Sequence, residues 1–298
     1  MSDDAALGVA GESARTIGAL VGELAASLAA AGVAQPREEA RDLVAALLDV
    51  PRFWPTTHRE AGADAALCES ARRAALRRAA GAPFAYAAGR AAFRHLTLDV
   101  DERVLIPRQE TEGLVDEVLG AVGSVRGGVA IDVGTGSGAI ALSLASEGPF
   151  ELVIATDVSR DALDVARANA ACCAPALRSP VEFRLGSLLA PVRDVRARCV
   201  VSNPPYIAFE EAAALPASVR DWEPSLALFS GAEGMAAIAG IVRQAAEVLE
   251  TGGLLAMEVD ARRASLAAEL AASDGRYVGV RVRLDLAGRE RYLLAERR

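Results

Sequence analysis

Apolar side chains recur at helical spacing through the first part of the chain. Residues 16–31 place five of them on one helical face, and residues 36–48 repeat the pattern behind Pro36. A third helix is predicted over 63–80, with acidic residues early and arginines late. That order complements the helix dipole on a solvated face, which we favour, although the arginines could also contact a partner. The three segments predict a small N-terminal helical domain over 1–82.

The pattern changes at Gly81 and Pro83, which end the helical region. Residues 93–100 alternate between apolar and polar side chains, which is the period of a strand. We therefore predict a β-hairpin linker over 83–107.

Beyond this linker, helical segments alternate with short apolar runs. The runs cover 129–133, 152–156, 181–185, 199–202 and 253–259. Such a rhythm indicates βαβ units and a parallel sheet. Two further strand-like runs, 278–284 and 291–295, flank a turn near the end of the chain. We predict an α/β domain over 108–298, with a Rossmann-like sheet and an antiparallel C-terminal hairpin.

The composition fits a folded protein without a polyanionic partner. The 298 residues are 52% hydrophobic, which is ample for a packed core. A formal net charge of −8 argues against broad attachment to nucleic acid or to an anionic membrane. The acidic start does not resemble a secretory signal, and no uncharged apolar run reaches the ~18 residues of a membrane helix. We expect a cytoplasmic monomer that makes no direct contact with nucleic acid.

The cysteines and histidines do not suggest a metal site or a nucleophile triad. The four cysteines lack CxxC spacing, and the adjacent pair Cys172 and Cys173 cannot easily close a relaxed disulfide. The two histidines, His58 and His95, stand in unrelated contexts. We expect reduced thiols and no bound metal.

A glycine-rich turn follows the first predicted strand of the sheet. Its residues are Gly134, Thr135, Gly136, Ser137 and Gly138. Glycines let a ligand approach the backbone, and the N-terminus of the next helix offers free N–H groups to an anion. The following strand ends in Asp157, whose carboxylate can accept both hydroxyls of a ribose. Turn and acid together indicate an adenosine-containing cofactor, either a nicotinamide dinucleotide or S-adenosylmethionine.

The tetrapeptide Asn203-Pro204-Pro205-Tyr206 follows the fourth predicted strand. A planar amide nitrogen is a poor nucleophile, because its lone pair is delocalised. Two fixed acceptors that hold both of its hydrogens let the nitrogen pyramidalise toward an electrophilic methyl group. The side-chain carbonyl of Asn203 and the main-chain carbonyl of Pro204 can be those acceptors. Tyr206 can cover the flat face of the bound group or lie against a nearby cation. The alternative is a Pro-rich turn that closes a strand.

These segments are all expected at the carboxyl edge of one sheet, where open α/β folds bind ligands. The adenine pocket would be formed by Gly186, Ser187 and Leu188, after the third predicted strand. A dehydrogenase does not need the tetrapeptide that begins at Asn203, whereas methyl transfer to a planar nitrogen does. The combination therefore favours S-adenosylmethionine as the cofactor.

At this point the chain resembles the HemK/PrmC glutamine methyltransferases, which modify peptide chain release factors. The resemblance covers most of the chain, and its most specific part is the block LIPRQETE at 105–112. Other matching segments are 81–93, 113–119, 131–145, 200–207, 223–234 and 285–295.

The resemblance implies a class I S-adenosylmethionine-dependent methyltransferase with an N-terminal helical domain for substrate recognition. It implies that residues 134–138, Asp157 and Asn203 bind the cofactor, with Leu188 against its adenine. Residues 203–206 would hold the glutamine of the Gly-Gly-Gln motif of class 1 release factors.

Two positions depart from the family's pattern. Ser187 stands where many members carry an acidic residue beside the adenine, and the usual Gly-x-x-Gln after Glu258 is replaced by a segment that begins Asp260-Ala261-Arg262. The first departure concerns the strength of one cofactor contact and not the identity of the cofactor.

Three alternative functions remain open. A glutamine methyltransferase of a ribosomal protein would share the chemistry but lacks the pattern that Arg108 begins. An amino-methyltransferase of adenine or guanine in nucleic acid usually needs a basic recognition surface. A catalytically silent adaptor would not need Asn203 and Asp157.

Overall fold

The computed structural model describes residues 15–298, which form two compact units that adjoin in sequence at Ala88 and Gly89. The helical unit ends at Ala88. Its elements are β1 (Arg15–Thr16), α1 (Ile17–Ala30), α2 (Pro36–Leu48), α3 (Trp54–Thr57), β2 (Gly62–Ala63), α4 (Ala65–Ala79) and α5 (Phe84–Ala88).

The three long helices of this unit lie where the apolar pattern predicts them. The hydroxyl of Thr16 accepts the N–H of Ala19 at 3.2 Å and caps α1, and Asp64 caps α4. Leucines from α1 and α2, including Leu24 and Leu43, are fully buried in one apolar core. The predicted helices 16–31, 36–48 and 63–80 therefore differ from the observed ones by two residues at most.

The sheet unit spans Gly89–Arg298. Its elements are β3 (Arg90–Phe93), β4 (Leu96–Asp99), α6 (Gln109–Val122), β5 (Val129–Val133), α7 (Ala139–Glu147), β6 (Leu152–Asp157), α8 (Arg160–Cys173), β7 (Val181–Leu185), β8 (Ala197–Ser202), α9 (Ala217–Arg220), α10 (Ser225–Leu228), α11 (Ala236–Val248), β9 (Leu249–Glu258), α12 (Ala264–Ser273), β10 (Tyr277–Leu284) and β11 (Glu290–Arg297).

Seven strands form one sheet in the order β10-β11-β9-β8-β5-β6-β7. Strands β5 to β9 pair in parallel, whereas β11 runs antiparallel to both of its neighbours. This is the predicted Rossmann-like sheet with an antiparallel C-terminal hairpin. No helix within residues 15–298 has the length and apolarity needed to cross a membrane.

Helices cover both faces of this sheet, which explains why its central strands β5, β6 and β8 are largely apolar and buried. Successive residues of a strand point to opposite faces. Val201 of β8 packs with Leu142 of α7 on one face, and Val200 packs with Ile241 of α11 on the other.

The predicted linker has a different local structure in part. Phe84–Ala88 is a helix, and the alternation over 93–100 is interrupted because Arg94 and His95 form the turn between β3 and β4. Arg94 has a positive φ of 54°. Its guanidinium bonds Glu147 of α7 at 2.6 Å and pairs with an acid of α6, which ties the hairpin to the sheet unit.

Candidate active site

A cavity of about 240 Å³ opens at the carboxyl ends of the parallel strands. Val133 at the end of β5 lies beside Thr156 of β6 and Ser202 of β8, so the segments that follow these strands meet there. Seven of the predicted site residues line the cavity: Gly134, Gly136, Asp157, Leu188, Asn203, Pro204 and Pro205.

At two positions that line the cavity, the glycine turn has a backbone conformation that only glycine adopts without strain. Gly134 and Gly136 have φ of 75° and 54°. Behind the turn, Asp132 is fully buried, and its Oδ2 accepts the Thr135 hydroxyl at 2.6 Å and the Ala141 N–H at 3.1 Å. Burial raises the pKa of Asp132 to about 7, against the effect of these two hydrogen bonds. Asp132 therefore shapes the turn from inside.

Asn169 of α8 holds the other side of the same turn. Its Nδ2 donates to the carbonyls of Ser137, at 2.9 Å, and Asp99, at 3.0 Å. Its Oδ1 accepts the N–H of Asp99 at 2.8 Å. Asn169 is 1% exposed, and nothing in the sequence around it signals this role. Thr135, Ser137 and Gly138 thus build the turn without lining the cavity.

Asp157 presents a carboxylate at the cavity wall. One oxygen accepts the N–H of Gly136 at 3.0 Å and the other accepts the N–H of Ser159 at 2.8 Å. Burial raises the pKa of Asp157, and the backbone N–H groups of Ser159, Gly136 and Val158 oppose that rise. A carboxylate has about four lone-pair sites, so it can accept further donors such as the hydroxyls of a ribose.

Leu188 forms an apolar part of the wall and has an unusual backbone. Its φ is 51°, and its carbonyl accepts the Thr156 hydroxyl at 3.1 Å. Gly240 of α11 faces it so closely that an added Cβ would lie 2.5 Å from Leu188 Cδ1. Leu188, Ile241 and Ser187 all line the cavity, where the first two offer apolar side chains.

Asn203 is held by a side-chain network that the sequence did not reveal. Its Nδ2 lies 3.0 Å from Thr111 Oγ1, and the Thr111 hydroxyl donates to Glu258 Oε2 at 2.7 Å. Thr111 is 5% and Glu258 1% exposed. Within residues 15–298, no donor bonds to Asn203 Oδ1 or to the carbonyl of Pro204. Both acceptors proposed for the amide hydrogens are therefore available.

Tyr206 lies behind the cavity wall and does not line it. Its hydroxyl is 3.4 Å from Glu258 Oε1, and burial followed by the charge of Glu258 raises the pKa of Tyr206. This contact differs from the predicted one, in which the ring covers the bound group.

The block at 105–112 is anchored to the segment that begins at Glu223. The Glu223 side chain is 1% exposed, and it accepts a hydrogen bond from the Arg108 guanidinium and one from the Ile106 N–H, the latter at 3.3 Å. Two separate segments that carry the family resemblance thus meet in one ion pair beside the cavity.

The segment after Glu258, which departs from the family's pattern, contains an arginine with a structural role. Arg263 donates to the Glu233 carbonyl at 2.8 Å and to Glu211 Oε2 at 2.9 Å. The same Glu211 oxygen accepts the N–H of Ala208 at 3.0 Å. Arg263 therefore holds two points, Glu211 and Glu233, of the long connection between β8 and α11, which includes the tetrapeptide.

The fold and this site define a Rossmann-like, S-adenosylmethionine-dependent methyltransferase. Residues 92–217 match the family model of the Methyltransferase small domain, and residues 19–89 match that of the PrmC N-terminal domain. Two solved structures share the fold. The methyltransferase from Pyrococcus furiosus is 18% identical, with a TM-score of 0.50 over 69% of this chain and 90% of that one. The hMettl16 catalytic domain in complex with MAT2A 3′UTR hairpin 6 is 16% identical, with a TM-score of 0.53 over 78% and 82%.

The chain belongs to the family of release factor glutamine methyltransferases. It is 41% identical over 285 residues to the "Release factor glutamine methyltransferase" of Moorella thermoacetica, which covers 95% of this chain and 99% of that protein. It is 40% identical over 280 residues to the protein of the same name from Mycolicibacterium smegmatis, with 91% and 94% covered. The resemblance, the fold class and the cofactor predicted from the sequence are thereby confirmed.

Proposed function

We propose that this enzyme transfers a methyl group from S-adenosylmethionine to the side-chain amide nitrogen of a glutamine. The substrate is the glutamine of the Gly-Gly-Gln motif in class 1 peptide chain release factors. The observation that supports this most directly is the pair of available carbonyl acceptors, on Asn203 and Pro204, in the wall of the cavity that also contains Asp157. Membership of the family supports the choice of release factors as the substrate.

The residues around the cavity fit the parts of the cofactor. Asp157 has lone pairs left for the ribose hydroxyls, the glycine turn lets the ligand approach the backbone, and Leu188 with Ile241 suits the adenine. S-adenosylmethionine would supply a methyl group bound to a positively charged sulfur, and this sulfur would leave as a neutral thioether when a nucleophile attacks the methyl.

The protein's own part in the reaction is to orient the amide. Asn203 Oδ1 and the Pro204 carbonyl each accept one N–H hydrogen, so the nitrogen lone pair turns toward the methyl carbon. As the new N–C bond forms, the nitrogen gains positive charge and its protons become strongly acidic. One proton then passes to water, so the reaction needs no basic side chain.

The remaining assignments follow from this substrate. A small site at a sheet edge admits one glutamine side chain only if its neighbours lack bulk, which suits Gly-Gly-Gln. We assign substrate recognition to the N-terminal helices of residues 1–82, a linking role to residues 83–107 and catalysis to residues 108–298. We expect a monomeric cytoplasmic enzyme whose partner is the release factor and which makes no direct contact with nucleic acid.

Asn203→Ala tests the mechanism in a methyl-transfer assay with labelled cofactor and purified release factor. Losing one preorganised hydrogen-bond partner should lower the rate by about 10²–10³-fold, which is far more than it lowers cofactor affinity. Asn203→Asp keeps an acceptor but loses the amide donor, so we expect partial activity at best. A release factor whose Gly-Gly-Gln glutamine is replaced serves as the negative control. Wild-type activity of Asn203→Ala would refute the mechanism, and methylation of DNA or a ribosomal protein but of no release factor would refute the substrate.

A further inference from the structure

A buried chain of hydrogen bonds leads from the proposed substrate-binding amide into the protein. Asn203 Nδ2 lies 3.0 Å from Thr111 Oγ1, and Thr111 Oγ1 lies 2.7 Å from Glu258 Oε2. Thr111 belongs to the first turn of α6, and Glu258 is the last residue of β9. The three side chains thus come from three separate parts of the sheet unit.

The direction of this chain is fixed by counting hydrogens. An ionised carboxylate only accepts hydrogen bonds, and a hydroxyl has one hydrogen to give. Because the Thr111 hydrogen goes to Glu258, only a lone pair of Thr111 faces Asn203. The Asn203 amide must then place its NH2 group toward Thr111, since the opposite orientation would set two oxygens against each other in a buried position. Asn203 Oδ1 is thereby turned to the other side.

The surroundings of Glu258 favour the same direction of the hydrogen bonds, from Asn203 through Thr111 to the Glu258 carboxylate. Besides Thr111, the Tyr206 hydroxyl lies near it, 3.4 Å from Oε1. Burial raises the pKa of Glu258, while the Thr111 hydrogen bond and the positive charge of Arg291 on the neighbouring strand oppose that rise. Both nearby hydroxyl groups can donate to the carboxylate, which favours a Glu258 that accepts.

We propose that Thr111 and Glu258 are positioning residues that determine which end of the Asn203 amide meets the substrate. They hold Oδ1 toward the glutamine N–H, and without them the amide can turn and present its own NH2 group, which repels that N–H. This proposal rests on the proposed function for its effect on the rate. The orientation of Asn203 itself is a property of the free protein and can be measured without a substrate.

Thr111→Val and Thr111→Ser form a matched pair for kinetics. Valine keeps the shape of threonine without its hydroxyl, whereas serine keeps the hydroxyl. We expect Thr111→Val to lower kcat by about 10- to 100-fold with little change in the cofactor Kd or in KM for the release factor. Thr111→Ser should retain most of the activity. Tyr277→Phe, which removes a buried hydroxyl bonded to Val242 elsewhere on the sheet, is the control for a general packing effect.

Two further variants separate positioning from stability. In Glu258→Gln the carboxylate becomes an amide, whose NH2 group must face the hydroxyl of either Thr111 or Tyr206. Where it faces Thr111, the Thr111 hydroxyl can donate to Asn203 instead, which turns the Asn203 amide. We expect kcat to fall while the cofactor Kd is unchanged. In an Asn203→Ala background, Thr111→Val should cause no further loss, because Thr111 acts through Asn203. An additive loss would overturn the proposal.

The orientation can be observed directly by NMR, because Asn169 and Asn203 are the two asparagines of the chain. Protein labelled with ¹⁵N-asparagine gives two side-chain NH2 pairs, and Asn203→Ala assigns them. Hydrogen exchange of the Asn203 pair with water should be slow in the wild type and in Thr111→Ser and faster in Thr111→Val. Asn169, bonded to two carbonyls, is the internal reference.

The kinetic measurements and the hydrogen-exchange measurements give distinguishable outcomes. Unchanged Asn203 exchange in Thr111→Val would overturn the proposed network whatever the kinetics show. Altered exchange with unchanged kcat would overturn its role in positioning. A wild-type enzyme that methylates no release factor would refute the proposed function, and the NMR comparison would still decide whether Thr111 orients Asn203.

Discussion

Asp157→Ala tests whether the end of β6 holds the ribose of the cofactor. The Asp157 carboxylate already accepts N–H groups from Gly136 and Ser159, at 3.0 and 2.8 Å, and its remaining lone pairs are left for the ligand. The two backbone hydrogen bonds join protein atoms only, and we expect cofactor binding to leave them unchanged. Only the bonds to the ribose therefore enter the difference in binding free energy between the wild type and the variant.

The magnitude follows from the charge of the acceptor. Removing hydrogen bonds to a charged group typically costs about 1.5–3 kcal/mol. The buried position of Asp157 raises its pKa, which means that folding has already removed part of its hydration and that binding has less to remove. We expect the binding free energy of S-adenosylmethionine to weaken by about 1.5–3 kcal/mol, which raises its Kd roughly 10- to 150-fold.

Asp157→Asn sharpens the test, because asparagine has almost the same shape. Its NH2 group must face either the Gly136 N–H or the Ser159 N–H, and two donors then oppose each other. We expect the cofactor affinity of Asp157→Asn to exceed that of Asp157→Ala by a few-fold at most. Calorimetric titration measures all of these affinities.

The control is Asp164→Ala, which removes an exposed acid of α8 that pairs with Arg167. It changes the net charge of the protein by the same amount as Asp157→Ala but lies outside the cavity lining. Equal affinity of the wild type and Asp157→Ala would remove Asp157 from the cofactor site. An equal loss in Asp164→Ala would reduce the effect to general electrostatics.

Three other substitutions test separate parts of the site. Gly240→Ala places a methyl group 2.5 Å from Leu188 Cδ1, so we expect weaker cofactor binding in calorimetry without a loss of thermal stability, and unchanged affinity would contradict the assigned wall. Arg108→Ala leaves the Glu223 carboxylate buried without its partner, which should cost on the order of 3–5 kcal/mol in urea unfolding. Glu223→Gln in that background should recover part of the loss, and no recovery would argue against the ion pair. Asp132→Asn tests a pH dependence. Because burial raises the pKa of Asp132 from 3.8 to about 7, its contribution to stability is present below pH 3.8 and lost as the pH rises to about 7. Relative to Asp132→Asn, the free energy of unfolding of the wild type should fall by on the order of 4 kcal/mol between pH 3.8 and about 7, which is the pKa shift multiplied by about 1.36 kcal/mol per unit. A difference between the two proteins that does not change with pH would refute the shift.

The sheet and the cofactor half of the site could be predicted because their signals are local. The predicted strands 129–133 and 181–185 match β5 and β7 at both ends. β5 is a largely buried apolar run, whereas β7, at the edge of the sheet, alternates apolar and charged residues, and both patterns are local. Asp157 could be placed because it directly ends such a run.

The supports of the site could not be predicted because their partners lie far apart in sequence. Thr111 and Asn203 are separated by 92 positions, and Asn169 and Asp99 by 70. No periodicity links such pairs, and a polar residue inside a helix is usually solvated. The turn at Arg94 was missed for a different reason. A positive φ at an arginine has no sequence signature, and its ion pairs with acids of two helices compensate for it.

The order of the strands explains why cofactor and amide can share one cavity. β5 lies between β6 and β8, so the glycine turn is one strand spacing, about 4.8 Å, from both Asp157 and Asn203. The Ser202 hydroxyl donates to the Val133 carbonyl at 2.6 Å and aligns the end of β8 with the end of β5. A slip of β8 by one residue would point Asn203 to the opposite face of the sheet, away from Thr111. The register of β8 therefore decides whether the amide acceptors and the cofactor site face the same space.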